Sequence, residues 1–227
     1  MRRMNSAVNN KPWNNAQESF SVLIRNMTKM NLTGRYSPSR MKAFFYPFGT
    51  STLMNTTNKD NFRQALSLLS AAVNVISTDG PHGRLGLTAS AVCSVTDSPP
   101  TVLVCINRNS SIHDALLGNR ALCVNILPGH LEETARRFAG MTDVPPAERF
   151  THCDWQAGAS GLPVLGEALA SLEGRIVDVK DVGSHSVLFV EVEHIHVGEH
   201  REGLTYFGRT FHRLERFAAQ VQHASAS

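Results

Sequence analysis

Amide and hydroxyl side chains are grouped in a short segment that follows an apolar run of the sequence. Residues 107–117, NRNSSIHDALL, come directly after the strand-like TVLVCI at 101–106. The hydroxyls and the free backbone N–H groups at the start of a helix here could bind an anion such as a phosphate. The same residues also fit a helix cap, in which Ser110 or Ser111 bonds the backbone and Asp114 returns the bond. This segment alone leaves both interpretations open.

A second segment, residues 86–100, is built from small and hydroxyl side chains. Its sequence, GLTASAVCSVTDSPP, carries no charge before Asp97. A strand with small groups on both faces lets a flat ligand lie against the backbone, where Ser and Thr hydroxyls can bond its polar edge. Small residues equally permit close packing of strands or subunits, so this segment also supports two interpretations.

Two further segments combine glycine with histidine or arginine. VGSHSVLF at 182–189 is a glycine turn that places His185 at the entry to a strand. YFGRTFH at 206–212 brings two aromatic side chains, Arg209 and His212 together near the end of the chain. His185 could instead be a surface residue, and the aromatic side chains could simply fill the core.

Conventional catalytic groups are not evident in the sequence pattern. It shows no credible grouping of serine, histidine and aspartate, no paired carboxylates and no ligands at zinc-like spacing. We therefore expect no metal site. The four cysteines include no CxxC pair and three lie in apolar runs, which predicts reduced, buried thiols in a cytoplasmic protein.

The pattern of apolar residues predicts the elements that must position these segments. A helix is expected from an N-cap at Asp60, with Phe62, Leu66 and Leu69 on one face. Strands are predicted at 71–78, 86–95, 101–106 and 121–127, helices at 112–117 and 131–138, long strands within 169–183 and 185–198, and a closing segment at 204–214. Many short strands at roughly ten-residue spacing, with short helices, indicate a mainly β fold and a β-barrel.

Composition separates the first part of the chain from the rest. Residues 1–50 hold eight of the 22 Lys and Arg but only one of the 19 acidic residues, so the remaining chain has a net charge of −4. That balance argues against nucleic acid as a partner, and no apolar run approaches the ~20 residues of a membrane span. We predict a disordered or non-native extension at 1–54, a folded domain at 55–216 and a tail at 217–227. A transit peptide is the alternative for the extension.

Several segments have distinctive sequences that follow one another in a distinctive order. They are LSAAVNVISTDG, TASAVCSVTDSPPTVLVCIN, LCVNIL, FAGMT, ERF, ASLEGRI and VGSHSVLF. On these segments, the span from about Phe62 to Leu214 resembles the flavin reductase family of split-barrel, flavin-binding proteins. Within that family it is most similar to the reductase components of 4-hydroxyphenylacetate monooxygenases and, nearly as much, of pyrimidine-degrading monooxygenases. The resemblance implies a Greek-key split β-barrel of the FMN-binding type that forms a homodimer.

The resemblance also implies which residues hold the cofactors. The residues that would line the flavin are Thr88, Ala89, Ser90, Ala91, Val92, Ser94 and Val95. Its phosphate would be held by Asn107, Asn109, Ser110 and Ser111. A further loop near the flavin would consist of Phe138, Ala139 and Gly140. His185 and Arg209 would orient the nicotinamide dinucleotide, together with Gly183, Thr210, Phe211 and His212. The family's GDH motif reads Gly183-Ser184-His185 here, so any role of an acid at that position is lost.

The function that the resemblance implies is an NAD(P)H:flavin oxidoreductase. It would use NADH, or less readily NADPH, to reduce FMN or FAD, and the reduced flavin would diffuse to a flavin-dependent monooxygenase. Backbone amides along 88–94 would hold the flavin edge that gains negative charge on reduction. No nucleic-acid or membrane partner is expected. The alternatives are a flavin-binding module without turnover and an enzyme of the same fold that resembles pyridoxamine phosphate oxidase.

Overall fold

A computed structural model describes residues 58–199 and 202–215, and three short α-helices lie among many strands in this part of the chain. The helices are α1 (Lys59–Ser67), α2 (His113–Asn119) and α3 (Glu132–Phe138), with 3-10 turns at Gly129–Leu131 and Pro146–Thr151. The strands are β1 (Ala71–Ala72), β2 (Asn74–Thr78), β3 (Leu85–Ala89), β4 (Val92–Asp97), β5 (Pro100–Asn107), β6 (Ala121–Ile126), β7 (Trp155–Ala157), β8 (Pro163–Leu165), β9 (Ala170–Val182), β10 (His185–Val197), β11 (Glu202–Phe207) and β12 (Thr210–Glu215). The predicted mainly β fold with short helices is confirmed. The predicted extension at 1–54 and tail at 217–227 lie outside the described residues.

Seven strands form the main sheet, in the order β3-β2-β6-β9-β10-β5-β4, and all neighbours are antiparallel. Buried side chains from five of these strands meet in one apolar cluster, which also takes in Ile112 and Leu116 of the α2 segment. Side chains from strands so far apart in the order meet only if the sheet curls around them. The core of the molecule therefore lies inside a curled sheet, with α2 packed into it.

The curled sheet is not a closed barrel, which corrects the expected architecture. β3 and β4 occupy opposite edges of the sheet, and no ladder joins them among the described residues. Only residues 90–91 connect the two strands, so the chain can separate their ends by no more than about 11 Å. The sheet thus brings its two edges close together at one end while leaving them unpaired.

A second apolar cluster connects the main sheet to a three-stranded sheet, β1-β11-β12, and a two-stranded sheet, β7-β8. α3 lies in this cluster through Ala135 and Phe138, and Leu204 of β11 joins it. Two ion pairs run along α3, Glu132 to Arg136 at 2.7 Å and Glu133 to Arg137 at 3.3 Å. The acidic members stand in the first turn and the basic ones in the last, as the helix dipole favours.

The structure divides two of the predicted strands. The run at 71–78 becomes β1 and β2, because Val73 pairs with Leu204 on one side and with Leu127 on the other and so passes from one sheet to the next. The run at 86–95 becomes β3 and β4, interrupted at residues 90–91. Both divisions have the same cause, which is that a short strand changes its partners at a point where the hydrophobic pattern does not change.

The helix cap predicted at Asp60 is wrong by two residues. Asn58 is the N-cap of α1, and its side-chain oxygen accepts the backbone N–H groups of Asp60 at 3.0 Å and Asn61 at 2.8 Å. No residue of α1 is buried, and its apolar side chains Phe62 and Leu66 are exposed. Every helix within 58–199 and 202–215 falls short of the length and apolarity that crossing a membrane requires.

Candidate functional site

The loop at residues 107–111 is shaped by hydrogen bonds to Asn107. Its side-chain oxygen accepts the N–H of Asn109 at 2.9 Å, and its carbonyl accepts that of Ser110 at 2.9 Å. The hydroxyls of Ser110 and Ser111 make no hydrogen bond to any described residue. Hydrogen bonds within the chain therefore shape this loop, and they leave two hydroxyl groups available.

The helix cap, one of the two interpretations left open for this loop, is not formed. α2 follows Ile112, and no side-chain hydrogen bond caps this helix. Asp114, which was expected to return the capping bond, instead contacts Nδ1 of the His113 ring at 3.0 Å. The serines do not cap the helix, and their role in binding an anion stays a prediction.

The loop at 107–111 lies beside the turn at 183–185, and we call these two segments together the polar rim. The backbone N–H of Arg108 donates to the carbonyl of Ser184 at 2.9 Å and joins them. A cavity of about 310 Å³ opens at this junction. Its lining residues are Arg108, Asn109, His113, Asp114, Gly183 and Ser184. The structure thus brings together the segments expected to hold the flavin phosphate and the nicotinamide cofactor.

His185 begins β10 and faces Val182 across a two-residue turn. Gly183 in this turn has φ +58°, a left-handed conformation that glycine adopts without steric cost. The exposed imidazole has its Nδ1 2.9 Å from the hydroxyl of Ser184. The serine that replaces the family's acid therefore contacts the histidine. When this hydroxyl donates to Nδ1, the ring proton is held at Nε2.

The small-residue segment approaches the polar rim where β3 passes into β4. The carbonyl of Ala91 accepts the N–H of Cys105 at 3.0 Å, so the break at 90–91 lies towards the end of β5 that leads into the rim. Along β4 the side chains of Ser94 and Val95 are exposed. Small groups and backbone are thus presented next to the polar loop.

Thr88 of β3 uses its hydroxyl within the protein. The hydroxyl donates to the carbonyl of Ala135 in α3 at 2.7 Å, which ties the helix to the strand. Any contribution of Thr88 to a ligand would therefore come from its backbone. Ala89 is half-buried and Ser90 is exposed, so the accessible side chains begin at the end of β3.

Phe138, Phe150 and Trp155 form a group that we call the aromatic cluster. Phe138 is 2% exposed, and its ring centroid lies 5.0 Å from that of Phe150 and 5.3 Å from that of Trp155. A Cβ atom at Gly86 of β3 would lie 2.6 Å from Cε1 of Phe138, so this strand must carry glycine there. The expected ligand residue Phe138 is a core residue in this structure.

The two residues after Phe138 differ from it. Ala139 and Gly140 are exposed, and Gly140 has φ +70°. Of the three residues expected to form this flavin loop, only these two present a surface.

The residues expected near the nicotinamide at the chain's end lie on the hairpin of β11 and β12. Gly208 and Arg209 form its two-residue turn with φ +58° and +66°, and Arg209 is exposed. Phe211 packs on Tyr206 with ring centroids 5.1 Å apart. The remaining two, Thr210 and His212, are exposed. No hydrogen bond or ion pair joins this hairpin to His185 within the described chain.

The four cysteines are unpaired, but they are not uniformly buried as predicted. Cys93 is exposed, Cys105 and Cys153 are half-buried, and Cys123 is buried. Burial, with a smaller effect from Glu173, raises the pKa of the Cys123 thiol to about 12. Burial also raises the pKa of Cys105. Neither thiol is therefore a ready nucleophile.

Sequence reasoning missed three residues beneath the polar rim. His113 contacts the hydroxyl of Ser186 at 2.9 Å, and that hydroxyl donates to Asp181 at 2.6 Å. His113 lies within the segment already singled out, but alternation of apolar residues gave no reason to connect it to β10. Only the pairing of β5 with β10 places them together.

Comparison with known proteins identifies the fold and the kind of cofactor its relatives use. The family described as "Flavin reductase like domain" matches residues 66–215. The chain is similar to the 4-hydroxyphenylacetate 3-monooxygenase reductase component of Pseudomonas aeruginosa, with 58% identity over 154 residues that cover 68% of this chain and 91% of that protein. It is also similar to FMN reductase (NADH) RutF of Escherichia coli O6:K15:H31, with 49% identity over 163 residues, 72% of this chain and 98% of that protein.

A solved structure gives the same result for the fold. The NADH:FAD oxidoreductase SgcE6 of Streptomyces globisporus C-1027, in complex with NAD and FAD fragments, superposes with a TM-score of 0.64 at 28% identity. The superposition covers 72% of this chain and 95% of that one.

Proposed function

Because the chain belongs to the flavin reductase family, we propose that it is an enzyme that oxidises NADH and reduces FMN or FAD. The reduced flavin leaves the protein and supplies a separate monooxygenase, as the similarity to the 4-hydroxyphenylacetate 3-monooxygenase reductase component suggests. The similarity to FMN reductase (NADH) RutF favours NADH over NADPH. It also keeps the reductase of a pyrimidine-degrading monooxygenase as the second candidate.

The polar rim is the observation that carries this proposal. Ser110 and Ser111 have unused hydroxyls, and the Arg108 side chain beside them is 50% exposed, which together suit a phosphate. The adjoining residues 89–91 have side chains small enough for a flat ring to lie against the backbone. The residues present thus fit a flavin mononucleotide or the corresponding half of FAD.

When both are bound, the flavin and the nicotinamide supply the hydride chemistry between them. The task of the chain is to position them. His185 offers a ring N–H to the dinucleotide, and Ser184 holds the ring through Nδ1. The backbone along 88–94 offers N–H groups to the polar edge of the flavin, where negative charge develops. Arg209 would add a positive charge near the dinucleotide.

We propose that the enzyme is a homodimer in which the main sheet of each chain forms a partly open barrel. A single chain leaves large apolar side chains uncovered on α1, on β4 and at the far end of β10. These are Phe62, Leu66, Val95, Ile195 and Val197, each at least 45% exposed. Exposed apolar residues in this number favour an interface. The hairpin carrying Arg209 would then reach the polar rim of the partner subunit. Light scattering coupled to size exclusion tests this, and a monomer at micromolar concentration contradicts it.

We further propose that residues 55–216 are the catalytic domain and that the protein works in the cytoplasm. The family match at 66–215 lies within this range. A chain beginning at Met54 should reduce flavin as the full chain does. Organelle import of a reporter fused to residues 1–54 would instead support a transit peptide.

Purified protein mixed with NADH and a large excess of FMN tests the reaction. A reductase consumes many equivalents of NADH per protein, with the rate depending on both substrates. A single stoichiometric bleaching of bound flavin, or none, would point to a flavin-binding protein without turnover. Repeating the assay with NADPH and with FAD establishes the preferred pair.

A further inference from the structure

One arginine is half-buried and has no partner for its charge in the described part of the chain. Within 58–199 and 202–215, three arginines are half-buried, namely Arg136, Arg137 and Arg149. The first two form ion pairs with acids of their own helix. Arg149, in the turn Pro146–Thr151, forms neither an ion pair nor a hydrogen bond with any described residue. A charge that is partly removed from water without a counter-ion costs stability, so this arginine is unexpected unless a ligand supplies the anion.

Buried polar atoms without a partner are concentrated around Arg149. Among described residues, three side-chain atoms are buried with no hydrogen-bond partner, namely Oγ1 of Thr142, Nε of Arg149 and Nε1 of Trp155. Each of them can donate a hydrogen bond, and the two nitrogens can only donate. Buried polar groups are normally paired. Three donors without an acceptor in one segment therefore suit a ligand that carries acceptor atoms or negative charge.

Two contacts place Arg149 near the backbone that the proposed function assigns to the flavin. A Cβ atom at Gly140 would lie 3.5 Å from Nη2 of Arg149, and Gly140 is exposed, so the end of the side chain reaches a surface. A Cβ atom at Gly86 would lie 3.2 Å from Cζ of the next residue, Phe150. Gly86 precedes Thr88 by two residues and therefore lies on the same face of β3. Arg149 is thus held near the start of the segment 88–94.

The acids nearest to Arg149 in the sequence do not neutralise it. Asp143 and Glu148 are exposed, and neither forms an ion pair with a described residue. Arg84 adds a further positive charge, because its guanidinium carbon lies 4.7 Å from the ring centroid of Phe150. Arg84 also has no ion pair among described residues. The surface beside Gly140 therefore has an excess of positive charge.

Reduction of a flavin produces a negative charge that suits this surface. NADH gives up a hydride, which is two electrons and one proton, and becomes NAD⁺. The neutral flavin ring takes the hydride at N5 and so gains one negative charge, which is spread over N1 and the C2 carbonyl of its pyrimidine edge. The segment 88–94 is the part of the chain proposed to hold that edge. A cation near the start of this segment would act on the reduced ring and hardly on the oxidised one.

We propose that Arg149 is the counter-charge for the reduced flavin: its guanidinium lies near the pyrimidine edge of the ring and stabilises the negative charge that appears there on reduction. This rests on the proposed flavin reductase function. A carboxylate of the chain paired with Arg149 would cancel most of the effect, which accounts for the missing ion pair. A fixed charge that needs no rearrangement during the reaction is the most effective kind.

The first test compares the affinities of the protein for oxidised and for dithionite-reduced flavin, measured by anaerobic ultrafiltration. Arg149→Gln should weaken the binding of reduced FMN roughly tenfold, the size expected of one charge several ångströms away near a surface. It should leave the affinity for oxidised FMN nearly unchanged. A tenfold change in this ratio lowers the reduction potential of the bound flavin by about 30 mV. Riboflavin should show the same loss as FMN, because it has the same ring and no phosphate.

Two further variants separate charge from packing. Arg149→Lys keeps the positive charge and should retain part of the preference for reduced flavin. Arg63→Gln, at an exposed arginine of α1, is the matched control and should bind both forms of the flavin as the wild type does. An equal change in affinity for oxidised and reduced flavin in Arg149→Gln overturns the proposal. A loss confined to FMN also overturns it, because that result assigns Arg149 to the phosphate.

The second readout needs no flavin. Arg149→Met keeps an aliphatic side chain and removes the unpaired charge, so the free energy of unfolding in urea should stay the same or rise. An arginine with a structural role would instead make this variant less stable, and a marked loss of stability overturns the proposal. If the protein does not reduce flavin with NADH, the proposed function fails, while the affinities for dithionite-reduced and oxidised flavin still decide the role of Arg149.

Discussion

The aromatic cluster packs against Gly86 in β3, and the polar rim lies towards the break at residues 90–91, but the two groups are built in opposite ways. In the rim, the hydroxyls of Ser110 and Ser111 have no partner among described residues and His185 is exposed. In the cluster, Phe138 is 2% exposed, and the strand facing it carries a glycine so that its ring can fit. Ser110 and Ser111 of the rim and Phe138 of the cluster were all expected to contact the flavin.

This difference separates residues that can bind a ligand from residues that stabilise the fold. A side chain with unused hydrogen-bonding groups at the surface costs the folded state little when it is removed, and any large effect of its loss must appear in binding. A buried ring contributes through packing, and its loss must appear in stability. Substitutions in the two regions should therefore change different measured quantities.

The largest expected effect is in the aromatic cluster. Phe138→Ala removes a buried ring that packs on Phe150 and Trp155, and it should lower the free energy of unfolding by about 3–5 kcal/mol. Urea denaturation followed by tryptophan fluorescence measures this. Phe207→Ala is the control, because its ring is 42% exposed, and it should cost far less. If Phe138→Ala leaves the stability unchanged but weakens flavin binding, Phe138 contacts the flavin rather than stabilising the core.

Next in size is the loss of both loop hydroxyls. Ser110→Ala with Ser111→Ala should raise the KM for FMN about tenfold or more and leave that for riboflavin unchanged. Each lost hydrogen bond to a charged group is worth roughly 1.5–3 kcal/mol. Unfolding should be unaffected, because neither hydroxyl is bonded within the described protein. Ser160→Ala, at another exposed serine, is the control. Equal weakening of both flavins would show that the serines only shape the loop.

A smaller effect is expected at the other half of the rim. His185→Ala should raise the KM for NADH severalfold and leave flavin affinity largely intact, since only the dinucleotide is assigned to this ring. Fluorescence titration of FMN and steady-state kinetics with NADH separate the two. His194→Ala is the matched control, being an exposed histidine on the same strand. Collapse of flavin binding with an unchanged KM for NADH would place His185 in the flavin pocket instead.

The smallest effect is expected on the hairpin. Arg209→Ala removes one exposed charge and should raise the KM for NADH about twofold. Its backbone has φ +66°, a conformation that favours glycine, so Arg209→Gly removes the charge while easing the turn. Equal losses in the two variants assign the effect to the guanidinium. A loss in Arg209→Ala that Arg209→Gly restores assigns it to the backbone.

Much of the fold was predictable because its strands alternate clearly. The pair of long strands joined at Gly183 and the short helix after β5 both follow from periodicity and turn residues. The break at residues 90–91 was not predictable, because the small side chains continue across it and only the change of partner strand creates it. The open edge between β3 and β4 likewise depends on long-range pairing.

The sequence identified individual residues of the candidate site but not which of them lie next to one another. The loop serines and His185 could be singled out by residue type, but their adjacency depends on the pairing of β5 with β10. The contact between Ser184 and His185 shows how a changed motif can still hold the histidine. The burial of Phe138 could not be read from FAGMT, because a phenylalanine at a helix end suits a ligand pocket and a core equally well.

The central claim is that this chain reduces flavin and then releases it. The most direct measurement is anaerobic incubation of the protein with NADH and a large excess of FMN, followed by rapid ultrafiltration and absorbance spectra of the filtrate. We predict reduced FMN in the filtrate in large molar excess over protein, matching the NADH consumed. A filtrate that holds only oxidised FMN, with at most one reduced flavin retained per protein chain, would contradict the account.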